Sequence, residues 1–436
     1  MNKNEIIIGD CKDVLKKYPD ESIDCIVTDP PYGYSFMGLS WDKVLPSPEA
    51  LTECCRVLKP GAFGFFMCAP RQDVLSRMII RLEDAGFNVN FSSMYHTYSS
   101  GFPKSQNVSK VIDRRAGAER EVIGVREDFK NKKAAETKRG SDSKRDRNDF
   151  HDPGRGGFRD PSQSWNITLP ATPDAKKLDG SYGGMQLKPA VEIIIVCMKP
   201  LSEKTYVDQA LANGKGVSWL NDCRIPSETP LEVGSGGRNN KRLFQQSTPT
   251  EMGLNYNGRF PANLLVSDDV LNNGIIYKSG DIKPEYNHSG SKTANVYGER
   301  AWNPATFKAN SGSFSRYFDL DAWFASKLPE QAQKTYPYLI VPKPAKSEKN
   351  KYIENKHPTV KPLKLMSYLI TMGSREGDLI LDPFAGSGTT LEACTLLNRW
   401  FVGIDIDEEN RSLMEARGQL NTTTLETFHE IPLRGL

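Results

Sequence analysis

The segment Asp29-Pro30-Pro31-Tyr32 places a carboxylate, two prolines and an aromatic ring one residue after a short apolar run, IDCIV. Each proline fixes φ and removes a backbone N–H donor, so this loop is stiffer than a chain reversal requires. A rigid loop that carries a carboxylate and a ring is suited to holding a ligand against both groups. An ordinary proline turn is the alternative, and these four residues alone do not decide between the two interpretations.

A second loop, DPFAGSGTT (residues 382–390), joins a predicted strand to a predicted helix, and its glycines let a ligand approach the backbone. A phosphate-binding P-loop requires Gly-Lys-Ser/Thr, whereas Gly388 is followed by Thr389 and Thr390. A dinucleotide fingerprint requires a third glycine where Leu391 stands. Neither phosphate-binding motif therefore fits this loop.

The acid that begins this loop, Asp382, would repel a pyrophosphate but suits a cationic α-amino group. S-adenosylmethionine combines an ammonium group with an adenosine and carries no phosphate, so it fits this loop best. Asp405 ends the next predicted strand, where an acid binds a ribose diol. A structural glycine turn with a helix-capping Asp382 remains the alternative for this stretch.

Strand and helix patterns alternate in two parts of the chain, and residues 115–350 between them lack this rhythm. The predicted strands are EIIIGD, SIDCIVTD, AFGFFMCA, FNVNFSSMY, DLILD and WFVGID, and the predicted helices are CKDVLKKYPD, SPEALTECCRVLKPG, RQDVLSRMIIRLEDAG, KPLKLMSYLITMG and TLEACTLLN. Such alternation predicts an α/β protein with a doubly wound, mostly parallel sheet covered on both faces.

Composition sets outer bounds on this protein of 436 residues. The net charge of +3 is mild and does not by itself indicate a nucleic-acid partner. No apolar run approaches the length of a membrane span, and the start of the chain lacks a signal-peptide pattern, so we expect a cytoplasmic protein without membrane contact. The eight cysteines include no CxxC pair and the five histidines are scattered, so we expect no metal site.

The pair DPPY and DPFAGSGTT resembles the amino-group DNA methyltransferases, which modify adenine N6 or cytosine N4. Their order, with DPPY first, is that of the circularly permuted β group of this family. Shorter matches are GDC (9–11), KPAVEIIIVCMKP (188–200) and HPTVKP (357–362). Two further segments, GRFPANLLV and SGSFSRYF, resemble a phage or prophage subset, and the family also includes restriction-modification enzymes.

The resemblance implies the S-adenosylmethionine-dependent methyltransferase fold, circularly permuted, with an inserted target-recognition domain. It divides the chain into five parts. The catalytic domain takes residues 1–125, a strand at 185–200 and residues 346–436. A basic flexible insertion takes residues 126–184, and the target-recognition domain takes residues 201–345.

The family's functional residues carry over to matching positions of this sequence. The implied catalytic residues are Asp29, Pro30, Pro31 and Tyr32. The implied cofactor-binding residues are Asp10, Cys11, Asp29, Thr359, Lys361, Asp382, Pro383, Phe384, Ala385, Gly386, Ser387, Gly388, Thr389, Asp405 and Ile406. Within this set, Asp10 would contact the adenine amino group of the cofactor, and Asp405 would contact its ribose. HPTVKP would meet the cofactor carboxylate at a helix start, where exposed N–H groups and Lys361 favour an anion.

The implied reaction is methyl transfer to N6 of an adenine flipped out of double-stranded DNA. Asp29 and the Pro30 carbonyl would accept hydrogen bonds from the target amine, and Tyr32 would stack on the base. An Asp at the head of the motif favours adenine, and Gly33 leaves room for a purine, although a turn alone could require that glycine. Cytosine N4 is the alternative target. Related enzymes often carry a tryptophan near the position of Tyr95 or Tyr98, so the resemblance does not decide which residue forms the wall of the base pocket.

The irregular middle of the chain begins with residues 126–159, which carry eleven Lys or Arg against seven Asp or Glu. We expect a mobile loop that orders on DNA phosphates, with a solvated loop lacking any partner as the alternative. The resemblance is compatible with a homodimer and with a partner restriction endonuclease, and it does not decide whether either is present.

Two rival functions belong to other classes: a dinucleotide oxidoreductase, and a non-catalytic DNA-binding protein with a methylase fold. A third and closer rival is a methyltransferase for RNA or for protein glutamine. The third rival usually has Asn at the first position of the strand-end motif, whereas this chain has Asp29.

Overall fold

The structure, a computed structural model, describes part of the chain. The described residues are 3–33, 43–97, 105–125, 166–185, 187, 190–226, 258–267, 271–272, 274–278, 311–328 and 360–418. The predicted basic loop, residues 126–159, lies outside them, as do Thr359 and Tyr98.

The strands are β1 (Glu5–Ile8), β2 (Cys25–Thr28), β3 (Phe63–Cys68), β4 (Met94–Thr97), β5 (Val122–Val125), β6 (Asn166–Thr168), β7 (Val191–Met198), β8 (Leu264–Val266), β9 (Tyr277–Lys278), β10 (Ser311–Gly312), β11 (Leu379–Asp382) and β12 (Trp400–Asp405). The helices are α1 (Cys11–Leu15), α2 (Pro48–Val57), α3 (Gln72–Asp84), α4 (Val108–Arg115), α5 (Pro173–Lys177), α6 (Tyr206–Asn213), α7 (Leu320–Lys327), α8 (Leu363–Gly373), α9 (Thr389–Leu396) and α10 (Arg411–Gly418).

Among the described residues, eight strands form one sheet in the order β1-β12-β11-β2-β3-β7-β4-β8. Neighbouring strands pair in parallel except that β7 runs antiparallel to both β3 and β4. The predicted mostly parallel sheet is confirmed. Because β7 is reversed, its first residues lie at the edge where the parallel strands end.

The centre of the sheet joins segments that are distant in the chain. β1 pairs with β12, with Ile8 opposite Asp405, and β2 pairs with β11, with Ile26 opposite Leu381. The carboxyl ends of these four strands therefore meet at one edge. In open α/β sheets, ligands bind outside this edge.

Alternate residues of the central strands enter two different apolar cores, because successive side chains of a strand point to opposite faces. Ile26 and Leu381 pack with α1, α2 and α3. Val27 and Ile380 pack with α7, α8, α9 and α10. Helices cover both faces, which confirms the predicted doubly wound α/β architecture.

The chain divides into two compact units, Met1–Ser99 with Ala190–Leu436, and Ser100–Pro189. In the second unit, β5 pairs antiparallel with β6. The carboxylate of Asp113 on α4 forms an ion pair with Arg120 at 2.6 Å and accepts a 2.9 Å bond from the backbone N–H of Thr172, just before α5. This buried acid links the two helices of the second unit.

Described parts of the predicted target-recognition domain belong to the unit that contains the large sheet. β8 extends the sheet beside β4, and Trp323 of α7 is fully buried against Tyr368 of α8, with ring centroids 4.7 Å apart. The predicted domain boundaries stay a prediction, since most of residues 227–359 lie outside the described ranges.

All eight cysteines are buried free thiols. No helix in the described ranges is long and apolar enough to cross a membrane.

Candidate active site

The two sequence motifs come together where β2 and β11 end side by side. Thr28, the last residue of β2, donates from Oγ1 to Oδ1 of Asp382, the last residue of β11, at 2.6 Å. The loop that begins with Asp29 and the glycine-rich loop therefore start from neighbouring points on the edge of the sheet.

Asp382 is almost completely buried and holds its own loop together. Its second oxygen accepts a 2.6 Å hydrogen bond from the hydroxyl of Thr390 on α9, and its first accepts the backbone N–H of Phe384 at 3.2 Å. Burial raises the pKa of Asp382 to about 6, although the two threonine hydroxyls oppose that rise. A carboxylate oxygen has two lone pairs, so Oδ2 keeps acceptor capacity. The predicted contact of Asp382 with a cationic amino group stays a prediction.

The glycine-rich loop adopts backbone conformations that favour glycine. Gly386 and Gly388 have φ of 48° and 75°. A Cβ on Gly388, which precedes α9, would lie 3.0 Å from the Cα of Met414 on α10. The backbone N–H of Ala385 donates to Ile404 of β12 at 2.8 Å. The loop is thus held against β12 and α10 by its backbone.

The other predicted residues of this loop lie in the same turn. Ala385, Ser387 and Thr389 are buried, and the ring of Phe384 packs on the core formed with α1, α2 and α3. Pro383 follows Asp382 directly.

Asp405 and Asp10 lie beside the glycine-rich loop, at the ends of the paired strands β12 and β1. Oδ2 of Asp405 accepts the backbone N–H of Gly386 at 2.7 Å. Oδ1 of Asp10 caps α1 by accepting a hydrogen bond from the backbone N–H of Lys12 at 3.1 Å, and Oδ2 forms an ion pair with the Lys12 ammonium at 2.9 Å. Neighbouring Ile406 is 65% exposed, so an apolar side chain accompanies the two acids at this corner.

Cys11 was also predicted to lie at the cofactor site. Its side chain is buried in the core with α1 and α2. Burial raises the pKa of its thiol to about 12, so the side chain is a neutral, apolar packing group.

Asp29 is the centre of a charged network that we call the Asp29 cluster: Asp29, Tyr32, Glu192 and Lys361. The ammonium of Lys361 lies 2.8 Å from Oδ2 of Asp29 and 2.6 Å from Oε1 of Glu192. The hydroxyl of Tyr32 lies 2.5 Å from Oδ1 of Asp29 and 2.9 Å from Oε1 of Glu192. The four side chains are linked in a closed ring of contacts.

The four members come from three elements of the fold. Asp29 and Tyr32 follow β2, Glu192 is the second residue of the reversed strand β7, and Lys361 precedes α8. Pro30 is buried, while Pro31 and the ring of Tyr32 are partly buried. The predicted stacking of Tyr32 on a base and the predicted contact of Lys361 with a cofactor carboxylate both stay predictions.

Burial and neighbouring charges separate the two acids of the cluster. Burial raises the pKa of Asp29, and the attraction of Lys361 offsets that rise only in part, while the charge of Glu192 adds to it. Burial would also raise the pKa of Glu192, but the charge and hydrogen bond of Lys361 outweigh it, and the pKa of Glu192 falls below its ordinary value. Groups whose pKa values are pushed apart in this way are typical of active sites.

Sequence reasoning missed Glu192. The available signal was an acid at the second position of an otherwise apolar strand, VEIIIVCM. Opposite it on β4, the buried His96 contacts the hydroxyl of Ser267 through Nε2 at 2.9 Å. Burial lowers the pKa of His96 to about 4, so this ring is neutral at physiological pH. Tyr95, a predicted candidate for the base pocket, is partly exposed on β4.

Comparison with known proteins identifies the family. A Type II methyltransferase of Moraxella bovis, M2.MboI, is 48% identical over 81 residues, which cover 19% of this chain and 30% of that protein. M2.DpnII of Streptococcus pneumoniae, also a Type II methyltransferase, is 46% identical over 70 residues, or 15% of this chain and 26% of that protein. The chain thus spans less than a third of the length of these curated relatives.

One similar solved structure is the PvuII DNA methyltransferase, which is cytosine-N4-specific. It aligns with a TM-score of 0.38 at 13% identity, covering 98% of this chain and 91% of that chain. A family model described as DNA methylase matches residues 23–415, which include both strand-end motifs and the strand that carries Glu192. The chain therefore belongs to the DNA methylase family.

Proposed function

We propose that the protein is a site-specific DNA methyltransferase that moves a methyl group from S-adenosyl-L-methionine to the exocyclic N6 of an adenine flipped out of double-stranded DNA. The observation that carries this proposal is the 2.6 Å bond between Thr28 and Asp382. It joins the ends of β2 and β11, so the acidic Asp29 loop and the glycine-rich loop face the same crevice. A group held by one loop can react with a group held by the other.

The residues around the glycine-rich loop fit the chemistry of the cofactor. Asp405 and Asp10 supply acceptors for ribose hydroxyls and an adenine amino group, and exposed Ile406 supplies an apolar contact for a ring. The backbone N–H of Gly386, which donates to Asp405 at 2.7 Å, places the loop backbone at this corner. When bound, S-adenosylmethionine supplies an activated methyl group on a sulfonium.

On the target side, Asp29 is the acceptor for the amine. Its Oδ1 contacts Tyr32 and its Oδ2 contacts Lys361, so each oxygen keeps a lone pair for a further bond. An exocyclic amine is a poor nucleophile because its lone pair is delocalised into the ring. A hydrogen bond from that amine to a fixed carboxylate favours tetrahedral nitrogen and frees the lone pair. A carboxylate that is already positioned avoids reorganisation in the transition state.

The choice of adenine rests on the Asp at the head of the strand-end motif. Gly33 does not add to this argument, because its φ of 72° is a conformation that requires glycine whichever base is bound. Cytosine N4 therefore remains the alternative target. A homodimer and a partner endonuclease stay predictions of the resemblance.

The test is to incubate the purified protein with S-adenosylmethionine and unmethylated double-stranded DNA, digest the DNA to nucleosides and weigh them by mass spectrometry. We expect N6-methyladenine from the wild type and about a thousandfold slower formation of it by Asp29→Ala. Detection of N4-methylcytosine without N6-methyladenine would show that the target is cytosine N4 and not adenine N6. Binding of S-adenosylmethionine in calorimetry without any methylated nucleoside would overturn DNA methyl transfer in favour of the two rivals that bind this cofactor, the non-catalytic DNA-binding protein and the RNA or protein methyltransferase.

A further inference from the structure

The Asp29 cluster contains more charge than a hydrogen-bond acceptor for an amine needs. Glu192 and Lys361 are each 14% exposed and the Asp29 side chain is 21% exposed, so all three charges are largely removed from water. Burying a charge is costly unless it is paired. One ammonium shared between two carboxylates leaves a net charge of −1 on the ionised cluster.

The geometry makes Lys361 a shared donor. Its ammonium has three protons and lies within 3.3 Å of both carboxylates and of the Tyr32 hydroxyl oxygen. Tyr32 has one hydroxyl proton for two carboxylate acceptors, so it donates to Asp29 or to Glu192 but not to both at once. Without Glu192, both donors would be directed at Asp29 alone.

We propose that Glu192 and Lys361 are positioning residues for Asp29: Lys361 fixes the carboxylate in place, and Glu192 draws Lys361 and Tyr32 partly away so that Asp29 stays available to the target amine. This inference rests on the proposed methyl transfer. It also explains the direction of β7. Because this strand is reversed, its first residues, which include Glu192, lie at the edge where the parallel strands end.

Other titratable groups face the cluster from neighbouring elements. The charge of Asp29 acts on Asp382 of β11 and on Cys68 of β3, and His96 of β4 faces Glu192. Burial raises the pKa of the Cys68 thiol to about 12, and His96 has a pKa of about 4, so both are neutral near pH 7. Of these three, Asp382 alone changes charge between pH 5 and 7, and it stays the same in every variant below.

The inference predicts opposite shifts for two variants. Glu192→Gln removes a like charge, so the pKa of Asp29 should fall. Lys361→Met removes an opposite charge, so the pKa of Asp29 should rise. Charges at such distances move a pKa by about one unit or more. The double variant removes both influences, and its value should lie between the two single variants.

The measurement is an infrared titration of the whole protein that follows the C=O band of the protonated carboxyl group. Subtracting the spectrum of Asp29→Asn in each background isolates the Asp29 band. Opposite shifts in Glu192→Gln and Lys361→Met support the inference, and any other pattern overturns it. If Lys361→Met does not fold, Lys361→Arg keeps the charge and should leave the midpoint within about half a unit. Glu192→Gln then tests the inference by itself. If Glu192 only packed, this isosteric change would leave the pKa of Asp29 unchanged.

A second readout connects the cluster to turnover. The acid limb of the pH profile for methyl transfer should move to lower pH in Glu192→Gln, in step with the infrared midpoint. Because the infrared titration needs no turnover, its failure contradicts the positioning role alone. Absence of methyl transfer in the wild type contradicts the proposed function instead.

Discussion

Asp29 and Asp382 occupy equivalent places in the fold but lie in opposite kinds of surroundings. Each is followed by proline at the carboxyl end of one of two paired parallel strands. Asp382 is held by neutral donors, the hydroxyls of Thr28 and Thr390 and a backbone N–H. Asp29 is held by the ammonium of Lys361 and faces a second carboxylate. The same dipeptide at the same edge thus builds a loop in one case and a charged site in the other.

This difference indicates that the neighbours of a strand-end acid decide its role. Neutral donors satisfy a buried carboxylate without adding charge, and such an acid stabilises local structure. A shared cation offsets part of the rise in pKa that burial imposes, and the second carboxylate leaves a net negative charge beside the ligand. The predictions below test whether this division between the two acids holds.

The largest expected effect is the loss of turnover in Asp29→Ala. Methyl transfer should fall by about a thousandfold, or roughly 4 kcal/mol, because the acceptor for the target amine is lost. Binding of S-adenosylmethionine and of DNA should change little. The matched control is Asp73→Ala, at an exposed aspartate of α3. Steady-state kinetics with titration calorimetry measures both quantities, and more than a tenth of wild-type turnover would be incompatible with the assigned role.

Asp382→Asn should change how stability depends on pH. The pKa of Asp382 is about 6 in the folded protein and near 3.8 when unfolded, so between these values only the folded state keeps the proton. Stability contributed by Asp382 is therefore complete below about pH 4 and is lost as pH rises through 6, by roughly 3 kcal/mol at about 1.4 kcal/mol per unit.

Urea unfolding at several pH values checks this dependence. The difference in unfolding free energy between wild type and Asp382→Asn should shrink from pH 4 to pH 6 and then stay flat. Asp84→Asn, at an exposed position on α3, is the control. A difference that grows with pH would mean that Asp382 is stabilised as the anion, as an acid paired with a cation would be.

Thr28→Val and Thr390→Val should each destabilise the protein by about 2 kcal/mol at pH 7, because each removes a hydrogen bond to a buried carboxylate. Thr371→Val is the matched control, since that buried hydroxyl donates to the carbonyl of Ser367 within α8, a neutral acceptor. Its cost should stay below about 1 kcal/mol. Equal losses in all three variants would remove the distinction between the carboxylate and ordinary buried hydroxyl partners.

Gly388→Ala should cost about 1 kcal/mol more than Gly377→Ala. The two glycines have φ of 75° and 79°, so the strain from backbone conformation is the same. A Cβ on Gly388 would meet Met414, whereas a Cβ on Gly377 would have nothing within 4 Å. Denaturant unfolding gives the two costs, and equal values would show that α10 yields to the added methyl group.

Much of this arrangement follows from patterns that sequence reasoning can use. Apolar runs predicted the central strands, and helix periodicity predicted the helices between them. The rule for parallel sheets predicted that the loops after β2 and β11 meet. One predicted strand, FNVNFSSMY, begins later than predicted, at Met94. Before it, Asn88 forms an isolated antiparallel bridge with Met198, and the continuous pairing of β4 with β7 begins at Met94, opposite Ile194.

The contacts of Glu192 and Lys361 with Asp29 could not be predicted from patterns. The position of Glu192 depends on the direction of β7, which an apolar run does not encode. The direction of the Lys361 side chain depends on where α8 begins relative to β2, two elements more than 300 residues apart in the chain. The Thr28 and Thr390 contacts likewise require the three-dimensional register of separate strands and helices.

The pairing of β1 with β12 and of β2 with β11 affects the order in which the protein can fold during synthesis. Ile8 and Trp400 are almost 400 residues apart, and a ribosome adds about 5 to 20 residues per second. β1 therefore waits roughly 20 to 80 seconds for its neighbour. Until β11 is synthesised, β2 has an unpaired edge, which is a template for association with other chains. The risk of aggregation on the ribosome is thus highest for nascent chains that stop before β11.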